Sequence, residues 1–207
     1  MVQQIWPEMM ESARQQLALH IGRTALGLVS ERGLGGTTMS QLAKSAGVAR
    51  ATLYKYFPDV ETAVVSYISA EVRRFQDELA AQLARESDPR RAIDLYIDRQ
   101  VDYLDGAEHR DAGRLESAGL SPAAHADLAG HLASMRGMLA ELLTAGVAAG
   151  ALRPDLDVEV QTTLLLNLMN GARAALAGEQ ITSGRVKAAV KDLVHRGLVA
   201  PDTLSSD

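Results

Sequence analysis

The chain contains no cysteine, which excludes disulfides, thiol nucleophiles, thiol-based redox sensing and cysteine-ligated zinc. Aromatic residues make up only 4% of its 207 residues, so a core has to be built from Leu, Val, Ala and Met. No apolar run approaches the roughly 20 residues that cross a bilayer. The opening MVQQIWPEMM also lacks the charged start and apolar stretch of a secretory signal, so we expect no membrane partner and a cytoplasmic location. No GxSxG elbow, dinucleotide fingerprint or HExxH pair occurs, and the GLGG of Gly33 to Gly36 lacks the Lys-Ser/Thr ending of a phosphate-binding loop. The histidines His20, His109, His125, His131 and His195 include no i, i+4 pair, which leaves zinc catalysis without supporting geometry. The His109-Arg110-Asp111 tripeptide occurs in kinase catalytic loops, but no glycine-rich loop or metal-binding DFG accompanies it. We therefore expect no enzyme activity, no catalytic residue, no cofactor and no metal.

Acidic residues are absent between Gly33 and Phe57, where Lys44, Arg50 and Lys55 lie. Within that stretch Met39, Leu42, Ala43 and Ala46 recur at i, i+3, i+4 and i+7, the spacing of one helix face. Gly47 can adopt the positive φ that ends a helix and reverses the chain, and Val48 offers a buried plug before a second helix. In that helix Ala49, Leu53 and Phe57 fall four apart and are expected to face inward, leaving Ala51, Thr52, Tyr54 and Lys55 outward with Arg50 at the entrance. Two short helices joined at one glycine read as a helix-turn-helix. The outward face suits DNA: Arg and Lys bring charge, Thr and Tyr bring hydroxyls, and Ala51 adds no bulk where a helix enters a groove.

The run TMSQLAKSAGVARATLYKYF resembles the DNA-binding motif of the TetR family of transcriptional regulators, through Thr38, the AxxAGV of Ala43 to Val48 and the TLYKYF of Thr52 to Phe57. The likeness covers residues from about 15 to 71; beyond that the chain matches as a helical pattern of the expected length. The resemblance implies that Arg50, Ala51 and Thr52 lie over base edges, while Thr38, Tyr54, Lys55 and Tyr56 hold phosphates of a double-stranded operator. Two departures stand out. Ala49 occupies a position where the family commonly has Ser, so an N-cap oxygen is missing at a cost of roughly 1 kcal/mol; Val60 replaces a common Lys and removes one phosphate contact.

Charge is placed unevenly. Residues 1–57 hold six basic side chains against three acidic ones, a surplus of +3, so the rest carries −8 of the total −5. A basic head and an acidic body would orient the molecule on a polyanion.

The remaining pattern is helical throughout, and we expect an all-α fold: an N-terminal three-helix helix-turn-helix domain over 11–60 (motif 37–57) and a C-terminal helical regulatory and dimerisation domain over 61–197. Residues 1–10, with the lone Trp6, and 198–207 read as flexible tails. A first helix over 11–32 carries Leu17, Ile21, Ala25 and Leu28. Pro58 and Asp59 then give a stop and a cap before a long helix over 60–86 that links head to body. Ser87, Asp88 and Pro89 start another helix. Residues 106–120 are polar and broken by Gly, which suits a short helix between loops. Further helices follow Ser121-Pro122 to Gly150, Val158 to Leu176 and Ser183 to Gly197.

The last two helices are apolar over more than one face, which implies either a partner helix or the interior of a larger bundle. The family resemblance implies a homodimer through them, with Leu164, Leu168, Gly171, Ala172, Ala175, Val186, Val190 and Leu193 at the seam. Polar or adaptable residues beside apolar stripes are candidates for binding a small apolar ligand: Tyr96, Gln100 and Tyr103, Met135 and Met138, Asn167 and Asn170. Met and Tyr at such spacings also build ordinary cores, and the two Asn side chains suit a dimer seam equally well. The expected function is a DNA-binding transcriptional regulator, a repressor that binds a palindromic operator as a homodimer and is released by a small molecule. A ligand-independent regulator controlled by a protein partner or acting constitutively uses the same residue types, and a helical enzyme or adaptor keeping the hairpin as scaffold is a third class.

Overall fold

The computed structural model describes residues 2–106, 120–176 and 181–199. Among them it forms eight helices: α1 (Val2–Arg32), α2 (Met39–Ser45), α3 (Arg50–Tyr56), α4 (Val60–Leu83), α5 (Pro89–Asp105), α6 (Pro122–Ala148), α7 (Val158–Leu176) and α8 (Ser183–Leu198). No strand forms among the described residues; a single antiparallel bridge joins Leu152 to Val199. None of these helices is long and apolar enough to cross a membrane. The short helix expected within 106–120, with His109, and most of the C-terminal tail lie outside the described residues.

The first helix departs from the sequence reading: it starts at Val2, through the stretch read as a mobile arm. Trp6, Met9 and Met10 share helical spacing but stay exposed, Trp6 at 66%. Their periodicity is not tied to burial, and a helix already nucleated further along extends by one backbone hydrogen bond per residue without it.

The described residues fall into two compact units, 2–74 with 120–131 and 75–106 with 132–199. In the first, Ile21, Ala25 and Val29 of α1 meet Leu42 of α2, Leu53 of α3 and Val60, Val64 and Ile68 of α4 in one apolar core. Leu120 and Ala124, at the start of α6, belong to the same core. The Ser121 amide donates to the Glu61 carboxylate, which ties that start to the first turn of α4. Asp59 caps α4 by accepting from the Thr62 amide at 2.7 Å. Gly22 lets α1 and α4 approach so closely that a Cβ there would lie 2.5 Å from the Tyr67 Cβ.

In the second unit, Phe75 and Leu79 of α4, Ile93, Tyr96, Ile97 and Val101 of α5, Leu139 and Leu143 of α6, Met169 of α7 and Val190 and Val194 of α8 form the core. Asp88 caps α5 by accepting from the Arg90 amide, with Pro89 in the first turn, as the Ser-Asp-Pro sequence predicts. A ladder of polar contacts lies along the edge of that core: His195 Nε2 beside the Asp94 carboxylate at 2.7 Å, and the ion pairs of Asp98 with Lys191 at 2.6 Å and Asp102 with Lys187 at 2.5 Å. Both sets step by four residues, one turn of each helix, so α5 and α8 run antiparallel in register.

Candidate nucleic-acid interface

Local chemistry builds the helix-turn-helix. Thr38 is the N-cap of α2: its hydroxyl accepts from the Gln41 amide while the Gln41 side chain accepts from the Thr38 amide, a reciprocal capping box. The helix ends at Ala46, Gly47 takes φ +67°, and the Val48 amide donates to Ala43 O at 3.0 Å. This closes the turn with the left-handed residue that only glycine adopts cheaply. His20 Nε2 lies 3.1 Å from Ala46 O, bracing the turn against α1. Ala49 is the N-cap of α3 and provides no side-chain hydrogen bond.

Leu53 and Phe57 anchor α3 in the core. Ala49, expected to share their inward face, is exposed. At the N-cap position the backbone is extended rather than helical, so the four-residue spacing from Leu53 no longer places it on that face.

Arg50, Ala51, Tyr54 and Lys55 stand exposed on the outer side of α3, with Thr52 half-buried beside them. Arg50 donates to the Tyr54 hydroxyl at 3.5 Å, and its guanidinium sits 5.8 Å from the ring centroid. The pair is thereby held along one helix face. Tyr56 is half-buried, packed on the core with its ring 6.3 Å from that of Phe57. The Thr38 hydroxyl is already engaged in the capping box, a role unread in the sequence although the Thr-x-x-Gln spacing signals it.

The structure brings some of the body candidates together. Tyr96 of α5 is fully buried, its hydroxyl donates to Met135 O of α6 at 3.4 Å, and burial raises its phenol well above the usual range. Tyr103 stacks on Phe75 with centroids 4.2 Å apart, and Met138 packs on the same cluster. Gln100 Oε1 is buried with no hydrogen-bond partner among the described residues. Asn167 and Asn170 do not join this group: both are exposed, and Asn167 donates back to Thr163 O of its own helix at 3.0 Å. Their shared face is the outer side of α7, opposite Leu165, Met169 and Ala172.

The residues expected at a dimer seam divide. Leu164 and Leu193 are 55% and 59% exposed. With Leu168 they border an open depression of about 400 Å³ running between α7 and α8. Gly171 is exposed and Ala175 half-buried. Ala172, Val186 and Val190 lie instead in the core of their own unit, because each of these helices has two apolar faces and these three residues occupy the inner one. The sequence reading missed the α5–α8 ladder, although Asp94, Asp98, Asp102 and Lys187, Lys191, His195 repeat at the same four-residue step.

Comparison with known proteins covers both parts of the chain. Residues 21–61 match the family described as bacterial regulatory proteins, tetR family, and residues 112–190 match the tetracyclin repressor-like C-terminal domain. The HTH-type transcriptional regulator EthR of Mycolicibacterium smegmatis is 31% identical over 162 residues, covering 76% of this chain and 73% of that protein. Among solved structures, the fatty acid degradation regulator FadR from Bacillus halodurans superposes with a TM-score of 0.77 at 20% identity, over 87% of this chain and 95% of that one. FadR from Bacillus subtilis, solved in complex with stearoyl-CoA, gives 0.74 at 19%, over 84% and 96%. Since the identity to EthR extends far beyond the two reader helices, the chain belongs as a whole to the TetR family, and it is a DNA-binding transcriptional regulator.

Proposed function

We propose that the protein is a homodimeric repressor that acts in the cytoplasm, binds a palindromic operator and is released by a small apolar ligand. The observation that carries the DNA half is the outer face of α3: Arg50, Ala51, Tyr54 and Lys55 exposed together, in a stretch without a single acidic residue. On this reading Arg50, Ala51 and Thr52 meet base edges in the major groove. Tyr54 and Lys55 meet phosphates, with Thr38 and Tyr56 at the margin of the contact because their side chains are partly committed to the fold. Two copies joined through Leu164, Leu168, Gly171 and Leu193 would present two such helices to half-sites a helical turn or a multiple apart.

Two observations support a ligand in the body. Gln100 Oε1 lacks a partner among the described residues, and a buried acceptor left unsatisfied costs about 1–3 kcal/mol, which a ligand's donor would recover. The Bacillus subtilis FadR, similar in fold, was solved with stearoyl-CoA. A long acyl chain suits the apolar surroundings of Tyr96, Tyr103, Met135 and Met138. Such a ligand weakens operator binding only by favouring one arrangement of the helices over another, with a coupling of roughly 1–3 kcal/mol.

The test is to select bound fragments from the DNA flanking the gene and to measure affinity with and without stearoyl-CoA. Lys55→Ala should weaken binding to every sequence and lower the salt slope by about one counterion, whereas Arg50→Ala should relax base preference. Leu193→Glu should give monomers that bind DNA poorly. Equal loss of specific and non-specific affinity in both α3 variants would sink the division of roles, and a wild-type monomer at micromolar concentration would sink the dimer. A regulator indifferent to every acyl-CoA and fatty acid tried would leave the ligand-independent reading in possession.

A further inference from the structure

Away from the reader and the apolar body, the first unit contains a second concavity of a different character. It is a cleft of about 320 Å³ between α4 and α6, lined by Val65, Ser66, Ser69, Arg73, Asp127 and His131. Five of these six side chains are polar or charged, in contrast to the apolar core of the same unit. Ser66, Ser69 and Arg73 sit at i, i+3 and i+7 of α4, one helix face, and Asp127 and His131 at i, i+4 of α6. Ser69 is buried, while Arg73 and Asp127 are exposed at the rim. The volume lies at the lower end of the range for small-molecule sites.

The lining has two poles. Arg73 offers a planar fork of donors suited to a carboxylate or phosphate, and the two serine hydroxyls extend that donor set along the same face. Asp127, on the opposite helix, accepts only. Partial burial and the nearby Arg73 charge lower the His131 pKa, while Asp127 opposes them.

We propose that this cleft is a binding site for a small polar metabolite that carries a carboxylate or phosphate at one end and a hydroxyl or ammonium group at the other. The anion binds Arg73 with Ser66 and Ser69, and the hydroxyl or ammonium donates to Asp127. Such a molecule bridges α4 and α6 inside the first unit, along the end of the stretch that each helix spends there: α4 leaves it after Arg74 and α6 after His131. Occupation therefore clamps together the two helices that run on into the body. This site is separate from the apolar ligand proposed above, and its chemistry is the reverse.

The test uses the full-length protein with histidine ring nitrogens labelled, titrated with D-glycerate, L-serine and inorganic phosphate and followed by NMR and calorimetry. Glycerate or serine should shift the His131 ring signals saturably while those of His195, on the α5–α8 ladder, stay put. Arg73→Met should weaken that binding by about tenfold or more, the loss expected for a charge-assisted hydrogen bond. Asp127→Asn should weaken serine and glycerate without affecting phosphate. Both substitutions are at exposed positions, and unchanged thermal unfolding verifies that they leave the fold intact. The proposal is overturned if none of the probes moves His131 selectively, if phosphate alone binds, or if Arg73→Met binds glycerate and serine as tightly as the wild type. None of these readouts involves DNA or an acyl chain, so failure here is distinct from failure of the repressor reading.

Discussion

Gly22 and Gly27 lie in the same helix, and replacing each by Ala should shift stability in opposite directions. Intrinsic helix propensity favours Ala over Gly by about 0.8–1.0 kcal/mol in a helix interior, and that gain applies to both. At Gly27 a new Cβ meets nothing within 4 Å, so the full gain of up to about 1 kcal/mol should appear. At Gly22 the new Cβ would lie 2.5 Å from the Tyr67 Cβ and 2.9 Å from Ala63 O, where carbon contacts need roughly 3.5–4.0 Å. Neither offending atom can swing away by a rotamer change, because one is a Cβ and the other a backbone oxygen. Tyr67 and Ala63 are both buried, at 3% and 0% exposure, so α1 and α4 must part by about 1 Å within a filled core. Overpacking of this kind costs typically 1–3 kcal/mol, and the immovable neighbours place it at the upper end. The net loss should be about 1–2 kcal/mol, which for a chain of this size lowers Tm by roughly 2–8 °C. Separation of the helices should also disturb the hydrogen bond from Arg23 to the Tyr67 hydroxyl, now 3.2 Å. Thermal and urea unfolding of both variants at one fixed protein concentration provides the measurement, since association alters apparent stability. If Gly22→Ala proves as stable as the wild type, or if both variants move the same way, the close approach of α1 and α4 is not what Gly22 is there for.

Two further expectations concern charge. Lys191→Met should destabilise the body by about 1 kcal/mol, because it leaves the half-buried Asp98 between Asp94 and Asp102. Pairing it with Asp98→Asn should recover part of the loss, giving a coupling that a double-mutant cycle resolves and that shrinks in high salt; additive effects would show the rung to be inert. For His131 the folded pKa is lowered, by burial and by Arg73 against Asp127, so the unfolded chain takes up its proton first as pH falls. Stability should therefore be complete above about 6.5, the unfolded value, and should decline as pH drops below it towards the folded pKa. His131→Gln should flatten that decline in pH-dependent urea unfolding, and an unchanged slope would place the acid sensitivity elsewhere.

The helix-turn-helix was legible from sequence because everything that shapes it is local. The apolar spacing of Leu42, Ala43 and Ala46, the single left-handed Gly47 and the Leu53–Phe57 anchor all act within a few residues, where turn and helix chemistry is read directly off the chain. The α5 start at Asp88-Pro89 was legible for the same reason. Ala49 was misassigned because periodicity presumes helical backbone, and an N-cap residue lacks it. Further from home, spacing shows which residues share a face but not what covers that face. Asn167 with Asn170 and Val186 with Val190 were each correctly grouped on a helix side, yet the first pair turned out to face outward and the second inward, because only the packed neighbours distinguish the two apolar sides of α7 and α8. The entry of Leu120 and Ala124 into the head core, the pairing of Asp98 with Lys191 across 93 residues and the meeting of Arg73 with His131 in one cleft depend on where whole helices dock. Docking is decided by burial of apolar surface summed over many side chains far apart in the chain, a quantity that no local stretch of sequence contains.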